Sequence, residues 1–218
     1  MSCKISLKRE DEYEERVIAL IFESKMKWGE QDVFAYSILY TLSYHRPRWA
    51  VQLCKLAQEH AITVKFSKIQ KSNIDAIWGE YGKKRIADLV SEHKHQRKDV
   101  EELINSFRGC ERLLTREELF SWIKSHIESH MNVFIEGNQI KSYREFSHFL
   151  YRIGFIVARP DGNDGKYEHY HFNEMSDLLS SRTNNNFDMK WEIHPCYRQP
   201  LDIKKLNLYQ RMKRICHK

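Results

Sequence analysis

Residues Tyr44 to Ala61, reading YHRPRWAVQLCKLAQEHA, constrain the fold more tightly than any other stretch of the chain. Proline is tolerated in a first helical turn, where its missing N–H would have had no partner, so Pro47 marks a helix start. Trp49, Leu53, Leu56, Ala57 and Ala61 then recur at helical spacing and predict one buried apolar stripe. The head of this helix carries Arg46 and Arg48. Two guanidiniums there face the positive end of the helix macrodipole and gain nothing from it. An anionic partner, a phosphate or a carboxylate, accounts for them. The plainer reading is that both pair with acids on neighbouring helices and orient the bundle.

The rest of the chain reads as mainly α. Residues 10–26 predict an amphipathic helix with Val17, Leu20, Ile21 and Phe22 inward, and 32–44 a second with Phe34, Ile38, Leu39 and Leu42 inward. Residues 67–95 predict one long helix or two consecutive ones, weakened at Gly79 and Gly82. Val100, Leu103, Ile104 and Phe107 mark a short helix over 98–108 that Gly109 ends. Thr115-Arg116-Glu117-Glu118 is a capping box that opens a helix to about Met131, and Ser142-Tyr143-Arg144-Glu145 repeats it for a helix to Ile153. Phe155 to Ala158 then predicts a strand, 161–165 a turn and Tyr167 to Phe172 a return strand. Met189 to Ile193 adds a further strand, and Pro195 to Leu201 a short turn.

Helices followed by a hairpin give the order of a winged helix. The expected organisation is a helical, lid-like bundle over 1–96, a winged helix-turn-helix domain with a small β-hairpin over 97–203, and a basic tail over 204–218.

Composition narrows the class. Eleven Phe, eleven Tyr and five Trp supply aromatic area to bury, which argues against disorder. No apolar run reaches membrane-spanning length and no signal-peptide pattern opens the chain, so the expectation is a cytoplasmic protein without a membrane partner. Five scattered cysteines, never spaced C-x-x-C, fit reduced thiols. A net charge of +6 admits nucleic acid as a partner. Basic residues concentrate from Lys83-Lys84-Arg85 through Lys94, Arg97 and Lys98, and again in the tail from Lys204.

Arg46-Pro47-Arg48, then Trp78-Gly79-Glu80-Tyr81-Gly82 to Ser91-Glu92-His93, then Trp191-Glu192-Ile193-His194-Pro195 form three landmarks in order. The first resembles the helix that carries the sensor-2 arginine in the lid of origin-recognition-type and STAND-type AAA+ ATPases. Together the three resemble the C-terminal half of a family of bacterial STAND-like P-loop ATPases linked to anti-phage defence, over most of residues 10–203. The resemblance implies that Arg46 and Arg48 sense nucleotide phosphate, with ATP and Mg²⁺ held by an intact ATPase. The chain departs from the family in having no Gly-x-x-x-x-Gly-Lys-Ser/Thr and no apolar strand ending in paired acids. It therefore cannot hydrolyse ATP alone. The implied partner is an ATPase core, in a longer chain or a separate subunit, and oligomers are compatible with this.

A second hypothesis is a free-standing DNA-binding protein with a helical oligomerisation region. Over 142–153, Phe146, Phe149, Leu150 and Ile153 face inward, leaving Tyr143, Arg144, Ser147, His148, Tyr151 and Arg152 outward for DNA or a partner protein. Arg159 and Lys166 on the hairpin would meet phosphates. Glu145 near that face and the modest basic charge of the helix weigh against DNA. His169 and His171 alternate on a strand, with His194 beside them, yet no cysteine pair completes a zinc set, and structural histidines are the plainer account. No nucleophile motif is present, so no catalytic residue is assigned.

Overall fold

The computed structural model describes residues 16–28, 31–127, 134–135, 138–139, 143–160, 169–179 and 189–204. The chain divides into two compact units, Met1–Arg85 and Ile86–Lys218. Helices dominate the described residues.

In the first unit, helix α1 occupies residues 16–21, followed by a β-hairpin of β1 (Lys25–Trp28) and β2 (Gln31–Phe34). Lys25 stands opposite Phe34 and Trp28 opposite Gln31. Helices α2 (Ala35–Leu42) and α3 (Pro47–Thr63) follow, and α4 (Lys71–His93), whose residues up to Arg85 belong to this unit, runs unbroken through both Gly79 and Gly82. The hairpin corrects the expectation of continuous helices over 10–26 and 32–44. Met26 is its buried residue, and Val33 alternates with exposed Asp32 and Phe34, a period of two rather than 3.6. Val17, Leu20 and Ile21 are exposed, not inward, with Leu20 at 75%. Phe22, just beyond the helix, is the group that buries, and its bridge to Ile69 ties the segment down.

The apolar stripe of α3 forms as its spacing requires, with Trp49, Leu53, Ala57 and Ala61 all buried and Leu56 half-buried. Arg46 is its N-cap and Pro47 its first residue. α4 opens with Gln70 N–H donating to Asn73 Oδ1 at 2.7 Å, while the Asn73 amide meets His60 Nδ1 at 3.1 Å. Ile74, Ile77 and Tyr81 on α4 complete the core. Tyr81 also donates its hydroxyl to Leu42 O at 3.0 Å, satisfying one of the carbonyls that the end of α2 leaves open. Trp28 of the hairpin stacks on Trp78 of α4, ring centroids 5.4 Å apart, with Lys71 over both rings.

In the second unit, α5 (Val100–Asn105) is followed by β3 (Leu113–Leu114) and α6 (Arg116–Ile127). The first capping box forms in both directions. Thr115 N–H donates to Glu118 Oε2 at 2.8 Å, and Glu118 N–H donates to Thr115 Oγ1 at 3.2 Å. A short ladder of β4 (Phe134–Ile135) and β5 (Asn138–Gln139) precedes α7 (Tyr143–Arg152); Ser142 of the second box lies outside the described residues. Then come β6 (Ile156–Pro160), β7 (Met189–Ile193) and the four-residue α8 (Pro195–Arg198). Gly109 and Gly154 both take positive φ, 73° and 77°, and end their segments at no steric cost.

The antiparallel sheet has the order β3–β7–β6. Ile156 pairs with Ile193 and Pro160 with Met189, so β7 is the main partner of β6. The return strand expected at Tyr167 to Phe172 falls within the described residues only from His169 onward. Among the described residues of that stretch, contact with β6 is a single bridge between Tyr170 and Ala158. The expected turn at 161–165 and the tail beyond Lys204 lie outside the described residues. Lys204 itself donates its N–H to Cys110 O at 2.9 Å.

Candidate functional site

Two places hold the residues that the sequence singles out, one in each unit. At the head of α3, Arg46 has extended backbone (φ −102°, ψ 114°), and its carbonyl accepts the N–H groups of Trp49 and Ala50 at 3.0 and 3.1 Å. Its guanidinium lies over the Trp49 indole, 4.6 Å from the ring centroid, and 5.7 Å from the Tyr44 ring. On the same indole sits Arg85, at 4.5 Å, and it also covers Tyr81 at 4.9 Å. Arg85 is only 1% exposed and donates to Gln52 Oε1. The stack offsets part of its burial cost, since a desolvated cation over an indole gains about 2 kcal/mol. Arg48, one residue past Pro47, is exposed. The fold thus separates the two arginines that the sequence groups together.

Arg85, third in the basic run that begins at Lys83, belongs to the core. A signal for this existed: it lies four residues after Tyr81 and four before Leu89, both buried, on the inward face of α4. Arg97 is likewise buried, and it holds Asp99 with two contacts of 2.6 Å. The basic run is therefore not one continuous solvated patch.

In the second unit, α7 turns Phe146, Phe149, Leu150 and Ile153 inward as its periodicity requires. Ser147 and Tyr151, expected outward, are both fully buried. Ser147 donates its hydroxyl to Tyr143 O at 2.8 Å. Tyr151 donates to Met175 O at 3.2 Å, and its ring meets Phe172 edge-on at 5.7 Å and Trp191 at 5.3 Å. His148 also meets Phe172 edge-on, at 5.5 Å. Residues 169–179 thus lie along the side of α7 that the sequence leaves to solvent. Burial holds the His148 imidazole below its ordinary pKa, with Arg152 adding to the effect and a Ser176 backbone contact opposing it. Tyr143, Arg144 and Arg152 are half-buried, and Arg152 stacks over Phe149 at 5.7 Å.

Arg159 is also corrected. It is buried, and Nη1 sits 3.8 Å from Glu192, so it is engaged within the sheet and not displayed toward phosphates. Lys166 lies outside the described residues. Glu192 on β7 is an ionic hub that sequence reading did not find. Its carboxylate takes His169 Nε2 at 2.6 Å, Arg198 Nη2 at 2.7 Å and Arg112 Nε at 2.9 Å. Burial by itself would raise its pKa, but Arg198, His169 and Arg112 outweigh that and bring it down to about 2. The only hint in sequence was the clash of an acid with the apolar run around Trp191 and Ile193. Next to it, His194 caps α8, accepting from Cys196 N–H, and its ring lies 5.8 Å from that of His171. His169 therefore serves the carboxylate and His194 the helix start.

Residues 3–90 match the family model of a FunZ-associated C-terminal helical domain, less than half the chain and nearly all of the first unit. No curated protein and no solved structure matches the chain. Among the described residues, no helix is long and apolar enough to cross a membrane.

Proposed function

We propose that the chain is a regulatory and interaction region that works with a P-loop ATPase core held elsewhere and hydrolyses no ATP itself. The observation that carries this reading is the match of residues 3–90 to a helical domain described as C-terminal and FunZ-associated, a domain appended to something else. The STAND-like identity of the core, and a role in phage defence, rest on the three sequence landmarks and belong to the same proposal. ATP and Mg²⁺ do not fit the residues at the head of α3 by themselves. From Val33 to Gln58 there is no carboxylate to hold a metal, and no glycine-rich loop occurs to cradle phosphates. Nucleotide and metal would have to be held by the core. Within this reading exposed Arg48 is the contact to phosphate, and Arg46, stacked on Trp49, is a positioning residue.

The second unit we read as a winged helix. Its support is the succession α5, β3, α6, β4, β5, α7, β6, β7, in which β7 lies between β3 and β6. The same fold serves DNA and protein partners, and its site decides between them. Residues 169–179 over α7 favour docking to a protein, the core included, over a helix laid in a major groove.

Purification of the native protein from its source cell tests this reading. A P-loop polypeptide that copurifies, or a longer product that contains one, is expected. Arg48→Ala then lowers the nucleotide response of that complex by about tenfold, the loss of one charge-assisted contact. A lone chain of 26.3 kDa that binds duplex DNA with a steep salt dependence would replace it with the free-standing DNA-binding alternative.

A further inference from the structure

Between Asp32 and Glu59 the chain carries no acid at all. The same stretch holds Phe34, Tyr36, Tyr40, Tyr44, His45 and Trp49. Trp49 goes to the core, but Phe34, Tyr36 and Tyr40 stay 37%, 42% and 58% exposed. Tyr36 and Tyr40 stand one helical turn apart on α2, on one side of it. Each is paired with a second ring. Phe34 stacks on Tyr36 with centroids 5.5 Å apart and planes within 16°, and His45 stacks on Tyr40 at 3.8 Å and 21°.

Cations flank the row. Lys25 Nζ lies 5.3 Å above the Phe34 ring. Arg16 lines a cleft of about 250 Å³ together with Phe34 and Tyr36. At the other end, Tyr44 and His45 both take left-handed backbone, φ 52° and 57°. Bulky side chains pay for that conformation, about 1–3 kcal/mol each, and it persists where surrounding contacts demand it. Here it delivers the His45 ring onto Tyr40.

Exposed apolar clusters of this kind mark interaction sites. The ligand class follows from the charges. A second copy of the chain would bring the same cations against these, with no carboxylate in the stretch to answer them. A nucleic-acid duplex keeps its base faces stacked inside and offers only edges and phosphates. A single strand offers both bare base faces and phosphates, which is the chemistry of aromatic rings interleaved with cations. We propose that Phe34, Tyr36, Tyr40 and His45 form a stacking platform for single-stranded nucleic acid, with Arg16 and Lys25 meeting its phosphates. The site is independent of the ATPase reading and lies on different residues.

The test uses the full chain and fluorescence anisotropy. Labelled oligo-dT and oligo-U of about 15 nucleotides, and a duplex of the same length, are titrated at low salt. The single strands bind more tightly than the duplex, and whichever of the two binds better identifies the strand taken. Tyr36→Ala with Tyr40→Ala weakens binding by about tenfold or more, the effect of lost base stacking, while Tyr36→Phe with Tyr40→Phe stays within about twofold. Both positions are exposed, and unchanged circular dichroism and melting check that the variants fold. Equal or tighter duplex binding overturns the proposal, as does binding indifferent to the alanine pair. A phenylalanine pair as weak as the alanine pair also overturns it. So does absence of strand binding, and if the alanine pair then abolishes self-association in sedimentation, the face is a protein interface.

Discussion

Arg85 lays its guanidinium over the indole of Trp49, 4.5 Å from the ring centroid, and is sealed from solvent there. The rings and Gln52 help to hold the ion there, because an unsupported buried charge costs several kcal/mol. It joins the head of α3 to α4 inside the first unit and makes the arginine-rich helix head part of a packed structure.

Arg85→Ala is expected to destabilise the first unit by about 2–4 kcal/mol, through lost stacking and a cavity beside Trp49. Arg85→Lys recovers only part, since an ammonium cannot lie flat on an indole. Arg46→Ala, at a half-buried position, costs about 1 kcal/mol. Urea unfolding of the three variants checks the order, and an Arg46→Ala loss as large as that of Arg85→Ala would contradict it.

The reciprocal cap at α6 gives a second expectation. Thr115→Ala removes the acceptor for Glu118 N–H and lowers stability by about 1 kcal/mol, while Thr115→Ser stays within a few tenths. Thermal melting distinguishes the two.

Glu192 sets the acid limit of the second unit. Its pKa stands near 2, against an ordinary value of 4.5. The unfolded chain therefore takes up the proton first as pH falls, so the stabilisation is complete above about pH 4.5 and is lost progressively down to about pH 2. Glu192→Gln leaves Arg198, Arg112 and His169 facing a neutral amide and costs about 3–5 kcal/mol at neutral pH. Acid titration of the variant, followed by tryptophan fluorescence from Trp191, loses the transition in that window.

His148 works in the opposite part of the scale. Burial lowers its pKa in the folded state, so below the ordinary value of 6.5 the unfolded chain binds the proton first. Its contribution is complete above about pH 6.5 and declines as pH falls toward the depressed folded value. Limited proteolysis within 169–179 is expected to accelerate on acidification through this range. Tyr151→Phe, which removes the bond to Met175 O, accelerates it at neutral pH and costs about 1 kcal/mol.

Period and caps are local properties, and several elements follow them. The stripe of α3, the inward face of α7, the Thr115–Glu118 box and the two glycines at positive φ all follow from residues within a few positions of one another. Short strands carry too few repeats to separate a period of two from 3.6, which is why β1 and β2 read as helix. The sites depended on contacts distant in sequence. Nothing near Arg159 or His169 announces that both reach Glu192, and nothing within α7 announces that residues 169–179 lie over Ser147 and Tyr151. Arg48 remains exposed, while Arg85, in a run of lysines, stacks beneath Trp49. A sequence pattern fixes which face of an element is apolar. Whether a charged side chain on the boundary of that face is solvated or buried depends on the free energy of the partner brought to it, and only the tertiary structure supplies the partner.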